Sequence, residues 1–169
     1  MGKSLLVPKW EANKTINNIP IDLLKDKGIK VILLDVDNTL LPRRSTLLSS
    51  SILNWLIEAK KHFKLYLISN NPSKKRIKNV ADQVDIGFTF SASKPRRSKV
   101  LKVINTFDCD IKDIAIIGDR IFTDIWSGNR LNLYTILVRA VKADGTEFKR
   151  NYYQRAEKFL SKLLGAIIK

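Results

Sequence analysis

Four aspartates, a serine and a lysine fall in four short polar clusters, each placed after an apolar stretch. Asp35 and Asp37 lie in the run Asp35-Val36-Asp37-Asn38-Thr39-Leu40, directly after the apolar stretch Val31-Ile32-Leu33-Leu34. Ser69-Asn70-Asn71 follows a second apolar stretch, Leu65-Tyr66-Leu67-Ile68. Lys94-Pro95 lies just beyond a third, and Gly118-Asp119, with Thr123-Asp124 after it, follows a fourth. Carboxylates gathered at one place repel one another, and a hard cation relieves that repulsion. An all-oxygen donor set selects Mg²⁺, which keeps several waters and takes one or two carboxylates plus a substrate phosphate. Asp35 and Asp119 are the natural direct ligands, and Asp124 is spaced to hold a metal-bound water. Mn²⁺ can use the same ligands.

The apolar stretches are short, rich in β-branched residues and separated by segments of helical period, so they read as strands alternating with helices. Strands are expected at 31–34, 65–68, 86–90, 114–117 and 134–138. Helices are expected at 49–63, 73–84 with Ser73 as N-cap, 98–107 and 123–131, with a closing amphipathic segment at 150–169. Alternation of this kind predicts an α/β, three-layer Rossmann-like fold with a mainly parallel five-stranded sheet and helices on both faces. In such sheets the strand C-termini share one edge, where function gathers. That is what would bring the four clusters together. Residues 1–28 read as a lead-in to one domain spanning 1–169, with no internal repeat.

These motifs resemble the haloacid-dehalogenase-like phosphatase superfamily. A strand followed by DxDx[TV][LV] is matched by Asp35 to Leu40, a strand ending in Ser or Thr by Ser69, a lysine by Lys94, and a strand followed by GDxxxxD by Gly118 to Asp124. The resemblance implies that Asp35 is the nucleophile and a metal ligand, and that Asp37 protonates the leaving oxygen, activates water and lends its carbonyl to the metal. It further implies that Ser69 and Lys94 bind the transferring phosphoryl group, and that Asp119 and Asp124 hold Mg²⁺. Such a division of labour suits phosphoryl transfer, where catalysis is mostly positioning and electrostatics. A covalent carboxylate intermediate splits one hard step into two.

The gaps from Asp37 to Ser69 and from Ser69 to Lys94 are too short for an inserted cap domain, so the site is expected to lie open (subfamily IIIA). An open site must be closed by its substrate or a partner, which points to a macromolecular or membrane-borne ester. Arg43, Arg44, Arg96, Arg97 and Arg120 crowd the expected rim, and guanidinium forks match phosphate oxygens. Arg43, Arg96, Arg97 and Asn70 are the candidate substrate contacts. A closer similarity, carried by Val7-Pro8, Gly28-Ile29-Lys30, Ser69-Asn70-Asn71, Lys94-Pro95 and Gly118-Asp119-Arg120, is to the branch of YqeG-like proteins and mitochondrial phosphatidylglycerophosphate phosphatases. It implies phosphatidylglycerophosphate as substrate and phosphatidylglycerol as product. Two alternatives stand beside it. One is a phosphatase acting on a nucleotide, a nucleic-acid end or a phosphoprotein; the other is a basic nucleic-acid-binding module that has lost the chemistry. Retention of both Asp35 and Asp37 argues against the second.

Composition bounds the rest. The 169 residues carry a formal net charge of +15, which favours polyanionic partners such as nucleic acid, an anionic membrane surface or a phosphorylated substrate. One cysteine, Cys109, and one histidine, His62, exclude a Cys/His zinc site and an internal disulfide. A cytoplasmic protein is expected, peripheral at the inner face of the membrane if the lipid reading holds. No Walker loop or GxGxxG run occurs. The closing segment carries an apolar stripe (Ala156, Phe159, Leu160, Leu163, Leu164, Ile167) beside Arg155, Lys158 and Lys162. Such a stripe is expected to pack against the sheet; an anionic bilayer is the other surface that would cover it.

Overall fold

The computed structural model describes residues 5–148 and 152–164. Six strands, β1 (Trp10–Glu11), β2 (Val31–Leu34), β3 (Lys64–Ile68), β4 (Gly87–Thr89), β5 (Ile114–Gly118) and β6 (Tyr134–Leu137), form one sheet in the order β1-β6-β5-β2-β3-β4. Every pairing is parallel. The sixth strand is the difference from expectation. It comes from the lead-in, where Trp10 and Glu11 pair with Ile136 and Leu137 at the edge of β6. Two residues are too few to show the period-2 alternation by which strands are read from sequence.

The sheet separates two apolar layers, and alternation along each strand assigns its residues to them. Ile32 and Leu34 of β2, Leu65 and Leu67 of β3, and Ala115 and Ile117 of β5 face one layer. Val31 and Leu33, Ile68, and Ile114 and Ile116 face the other. Helices α2 (Ser50–Lys60) and α3 (Lys74–Asp82) cover the first face with Ile52, Leu56, Ile77 and Val80. Helix α4 (Ser98–Ile104) covers the second with Val100, Val103 and Ile104. Ser49 and Ser73 cap α2 and α3, accepting from the backbone N–H of Ile52 and Arg76.

The lead-in is core rather than appendage. After β1 it forms a turn over Ile16–Asn18 and helix α1 (Ile21–Asp26), burying Ile16, Ile19 and Leu24 in the first layer. The Trp55 indole N–H of α2 donates to the Ile19 carbonyl at 2.8 Å. Beyond β5 the chain makes one wide π-type turn, Ile121–Ile125, before helix α5 (Trp126–Arg130). Such turns gather at functional sites because they displace a side chain from helical register.

Helix α6 (Tyr152–Leu163) reverses the expected orientation of the closing segment. Its polar residues Gln154, Glu157 and Ser161 are buried, while Phe159, Leu160, Leu163 and Leu164 are exposed. Ala156 is exposed too, and Ile167 lies outside the described residues. The stripe therefore does not pack on the sheet. Hydrogen bonds, not apolar contact, decide which face docks, as the site geometry makes plain. Among the described residues no helix is long and apolar enough to cross a membrane.

Candidate active site

The C-terminal ends of β2, β3 and β5 bring the predicted clusters together. Asp35 follows β2 and its backbone N–H donates to Ile117 O at 2.9 Å, so the ladder between β2 and β5 continues into the site. Asp119 follows β5 directly. Asp124 returns to the same place through the wide turn, its Oδ2 accepting from the Arg120 N–H at 3.2 Å. Carboxylate oxygens of Asp35, Asp119 and Asp124 all lie within 4.8 Å of one another, and all three residues are buried. A side chain on Gly118 would sit 2.3 Å from the Asp124 carboxylate, so only glycine leaves Asp124 room.

Lys94 supplies the balancing charge. Its ammonium lies 2.7 Å from Asp35 Oδ1 and 2.6 Å from Asp124 Oδ1, and donates to the Ile68 carbonyl at 2.7 Å. Burial pulls its pKa down, but the charges of Asp124 and Asp35 outweigh that and the net shift is upward, so it stays an ammonium. One cation among three buried acids leaves negative charge uncompensated. Burial, then the charges of Asp35 and Asp124, holds the Asp119 carboxyl well above its ordinary range. Burial and the Asp35 charge push Asp124 up to about 6, against the opposing pull of Lys94. Thr39 bridges the acids, donating to Asp35 Oδ2 at 3.2 Å and lying 3.5 Å from Asp119 Oδ1. A compact, oxygen-only, charge-deficient cluster is what a hard divalent cation fits.

Ser69 is fully buried at the end of β3. Its Oγ accepts from the Asn71 N–H at 3.1 Å, which leaves its own proton to give. Asn70, expected on the substrate, is engaged elsewhere. Its amide donates to Lys94 O at 2.9 Å and accepts from Lys94 N at 2.7 Å, holding the lysine's backbone in place. Asp37 is mostly buried beside the more deeply buried acids, its side chain 19% exposed. Asn71 donates to its Oδ2 at 3.0 Å, and Arg76 of α3 lies 2.8 Å from its Oδ1. The same guanidinium donates to Ser45 O and Pro42 O, tying down the loop after the first motif. Arg76 and Asn71 were missed from sequence. Asn71 stood within the second cluster, but nothing in the spacing aimed it at Asp37, and Arg76 is one basic residue among many on a helix.

Asn38 takes a left-handed backbone conformation (φ 64°), which asparagine tolerates better than most residues. Its carbonyl accepts from Val141 N at 2.8 Å, so residues 139–148 fold against the first motif. Between that segment and the first turn of α6 lies a cleft of about 620 Å³, whose lining includes Asn38, Arg43, Asp119, Lys142, Phe148 and Tyr153. Its lining offers one carboxylate, Asp119, the cations Arg43, Arg120 and Lys142, and the aromatic rings of Phe148 and Tyr153. Arg96 and Arg97 are exposed after Lys94 and are not part of that lining. Arg120 does line the cleft, with its guanidinium paired to α6, where Glu157 Oε1 accepts from it at 2.9 and 2.7 Å. Glu157 Oε2 accepts from Ile121 N at 2.8 Å. Gln154 donates to the carbonyls of Asp119 (2.6 Å) and Val138 (2.8 Å). The loop that carries Asp119 is thus held from outside by α6. His62 and Cys109 stand apart: His62 faces Glu58, and Cys109 packs against the second apolar layer.

Similarity to known proteins agrees with this geometry. The profile of the family described as mitochondrial PGP phosphatase matches residues 1–142. The probable phosphatase YqeG of Bacillus subtilis is 32% identical over 159 residues, 92% of this chain and 91% of that one. The mitochondrial phosphatidylglycerophosphatase GEP4 of Saccharomyces cerevisiae is 28% identical over 175 residues, 96% and 88% of the two chains. In fold, the cobalt-bound deoxy-D-mannose-octulosonate 8-phosphate phosphatase of Haemophilus influenzae superposes with a TM-score of 0.52 at 13% identity, over 82% of this chain and 91% of that one.

Proposed function

This chain belongs to the PGP phosphatase family, within the haloacid-dehalogenase-like phosphatases, and we propose that it is a Mg²⁺-dependent phosphomonoesterase working through a phosphoaspartate on Asp35. The observation that carries the reading is the convergence of Asp35, Asp119 and Asp124 within 4.8 Å, with the Lys94 ammonium 2.7 Å from the Asp35 carboxylate. Asp35, Asp119 and Asp124, with the Asp37 carbonyl, would hold the cation, whose charge would offset the acids and the incoming phosphate.

A carboxylate oxygen of Asp35 attacks phosphorus, the P–O bond to the alcohol breaks, and Asp37 gives its proton to the departing oxygen. Water then enters, Asp37 takes its proton, the acyl phosphate P–O bond breaks, and inorganic phosphate leaves with Asp35 regenerated. Ser69 and Lys94 hold the equatorial oxygens through both steps, where positioned donors do most of the work. Asn71 and Arg76 aim Asp37, and Asn70 fixes Lys94 from behind.

The substrate we propose is phosphatidylglycerophosphate, hydrolysed to phosphatidylglycerol and phosphate at the cytoplasmic face of a membrane. Three things support this: the family description, the name of the yeast relative, and a cleft whose lining combines Asp119, the cations Arg43 and Lys142, and the aromatic residues Phe148 and Tyr153. The terminal phosphate would react at Asp35, while Arg43 and Lys142 would meet the phosphodiester and Phe148 and Tyr153 the first glyceride carbons. Phosphate release from phosphatidylglycerophosphate in mixed micelles, with and without Mg²⁺, tests it against Asp35→Asn. Metal-dependent release that disappears in the variant supports both parts. Asp35-dependent release from an aryl phosphate alone would keep the phosphatase and discard the lipid.

A further inference from the structure

An amphipathic helix on a globular protein buries its apolar face and leaves its polar face to water. Helix α6 does the reverse. Gln154, Glu157 and Ser161 are 0–7% exposed, whereas Tyr152, Tyr153, Phe159, Leu160, Leu163 and Leu164 are 48–80% exposed. The buried face is bonded, not merely covered: Gln154 to Asp119 O and Val138 O, Glu157 to Arg120 and Ile121, and Lys158 to Glu11 of β1. The outward apolar face is therefore fixed in direction by the loop that carries Asp119. Tyr153 belongs to that face and to the lining of the cleft at once.

The charges beside the face choose what covers it. At 100° per residue, Arg155 and Lys162 fall together along one border of the apolar arc, and both are exposed. The helix has one acid, Glu157, and it is buried against Arg120. The exposed part of α6 thus offers apolar and cationic groups and no anion. A second copy laid antiparallel on this face would bring Arg155 of one helix near Lys162 of the other, and each chain already carries a net charge of +15. An anionic lipid surface meets the same face with opposite charge and an apolar interior.

We propose that the apolar face of α6 is a membrane-docking surface for anionic phospholipid, and that its bonds to the Asp119 loop set the mouth of the catalytic cleft against the bilayer. The proposal rests on the reading of the substrate as a lipid, but it concerns a different surface and fails separately. Docking through α6 would carry the lipid head group into the cleft at Tyr153 without the lipid leaving the bilayer. It would also close an otherwise open site with the bilayer itself.

The test uses the full chain and two double variants, Phe159→Glu/Leu163→Glu and Arg155→Glu/Lys162→Glu, none of these residues being in the catalytic machinery. Flotation with vesicles of phosphatidylcholine alone or mixed with phosphatidylglycerol reads docking. Hydrolysis of an aryl phosphate reads the site, and hydrolysis of phosphatidylglycerophosphate in micelles reads the substrate. Expected are binding of the natural chain to the anionic vesicles only, at least ten-fold weaker binding by both variants, and aryl phosphatase activity within two-fold for all three. Equal vesicle binding by the natural chain and the Phe159→Glu/Leu163→Glu variant would overturn the proposal. So would no binding by the natural chain, even with micellar substrate hydrolysed, which would leave the lipid substrate standing. A dimer in solution that the same variant dissociates, without vesicle binding, would assign the face to a second copy and overturn it too. Vesicle binding lost in the variants, with no lipid hydrolysed in micelles, would uphold docking and remove the substrate reading.

Discussion

At the scale of single residues, the site is defined by a shortage of positive charge. Lys94 contacts two acids, Asp35 and Asp124, and the third, Asp119, has no lysine or arginine in ion-pair contact with its carboxylate among the described residues. Asp124 holds its proton to about pH 6 in the metal-free fold and to about 3.8 when unfolded. Between those values the folded state binds more protons, so this group's contribution to stability is full below about 3.8 and is lost as pH rises through about 6. Mg²⁺ should replace the proton. The Mg²⁺-induced rise in Tm should therefore be larger at pH 7.5 than at pH 5, read by thermal unfolding; equal rises would contradict the assignment of Asp124 as a metal group. Asp37 is only slightly exposed and is held by Arg76 and Asn71. Asp37→Asn should lower kcat by roughly 100- to 10,000-fold in an aryl phosphatase assay while the Mg²⁺-induced Tm rise persists. Loss of both would mean that Asp37 acts through the metal.

At the scale of elements, two glycines allow close approaches beside the site and the sheet. A side chain at Gly118 would collide with Asp124, and one at Gly128 of α5 with Ile116 and Thr135 at 2.4 and 2.5 Å. Gly128→Ala should cost about 1–3 kcal/mol by overpacking between α5 and the sheet, measured by urea denaturation, with little change in Mg²⁺ affinity. Gly118→Ala should impair Mg²⁺ binding as well, because its clash falls on Asp124, one of the proposed ligands. Helix α6 acts on the site through hydrogen bonds to the loop after β5. Truncation at Glu157 unpairs Arg120 and the Ile121 N–H, and hydrogen bonds to charged groups contribute about 1.5–3 kcal/mol. Glu157→Ala should therefore weaken Mg²⁺ affinity about ten-fold or more in a titration of activity, with kcat at saturating Mg²⁺ nearly restored and Glu157→Gln intermediate. A fall in kcat that Mg²⁺ does not rescue would give α6 a different role.

At the scale of the whole molecule, a chain of net charge +15 holds a cluster of three buried acids. On the proposed reading, field and pocket have separate uses: the field would draw anionic surfaces and substrates near, and the pocket would do the chemistry on one phosphate. Long-range attraction is screened over about 8 Å at physiological ionic strength. Turnover of lipid in anionic vesicles should therefore fall as salt rises from 50 to about 500 mM, while turnover of a soluble aryl phosphate changes little. Parallel losses would place the salt effect in the pocket.

The parallel sheet, its covering helices and the four clusters were legible in the sequence because they depend on local pattern. Val31 to Leu34 and Ile114 to Ile117 are short apolar runs rich in β-branched residues, the pattern of strands buried on both faces. Parallel strands then force Asp35, Ser69 and Asp119 to one edge, whatever the loops do. Partnerships between distant segments were not legible. The pairing of Trp10-Glu11 with β6, the amide of Asn70 turned to Lys94, and Arg76 reaching Asp37 each join groups whose separation along the chain carries no period. The reversed face of α6 is the sharpest case. Its sequence is equally amphipathic whichever side docks, and only the carbonyls of Asp119 and Val138 and the Arg120 guanidinium, placed by the folded sheet, made the polar side the one that binds.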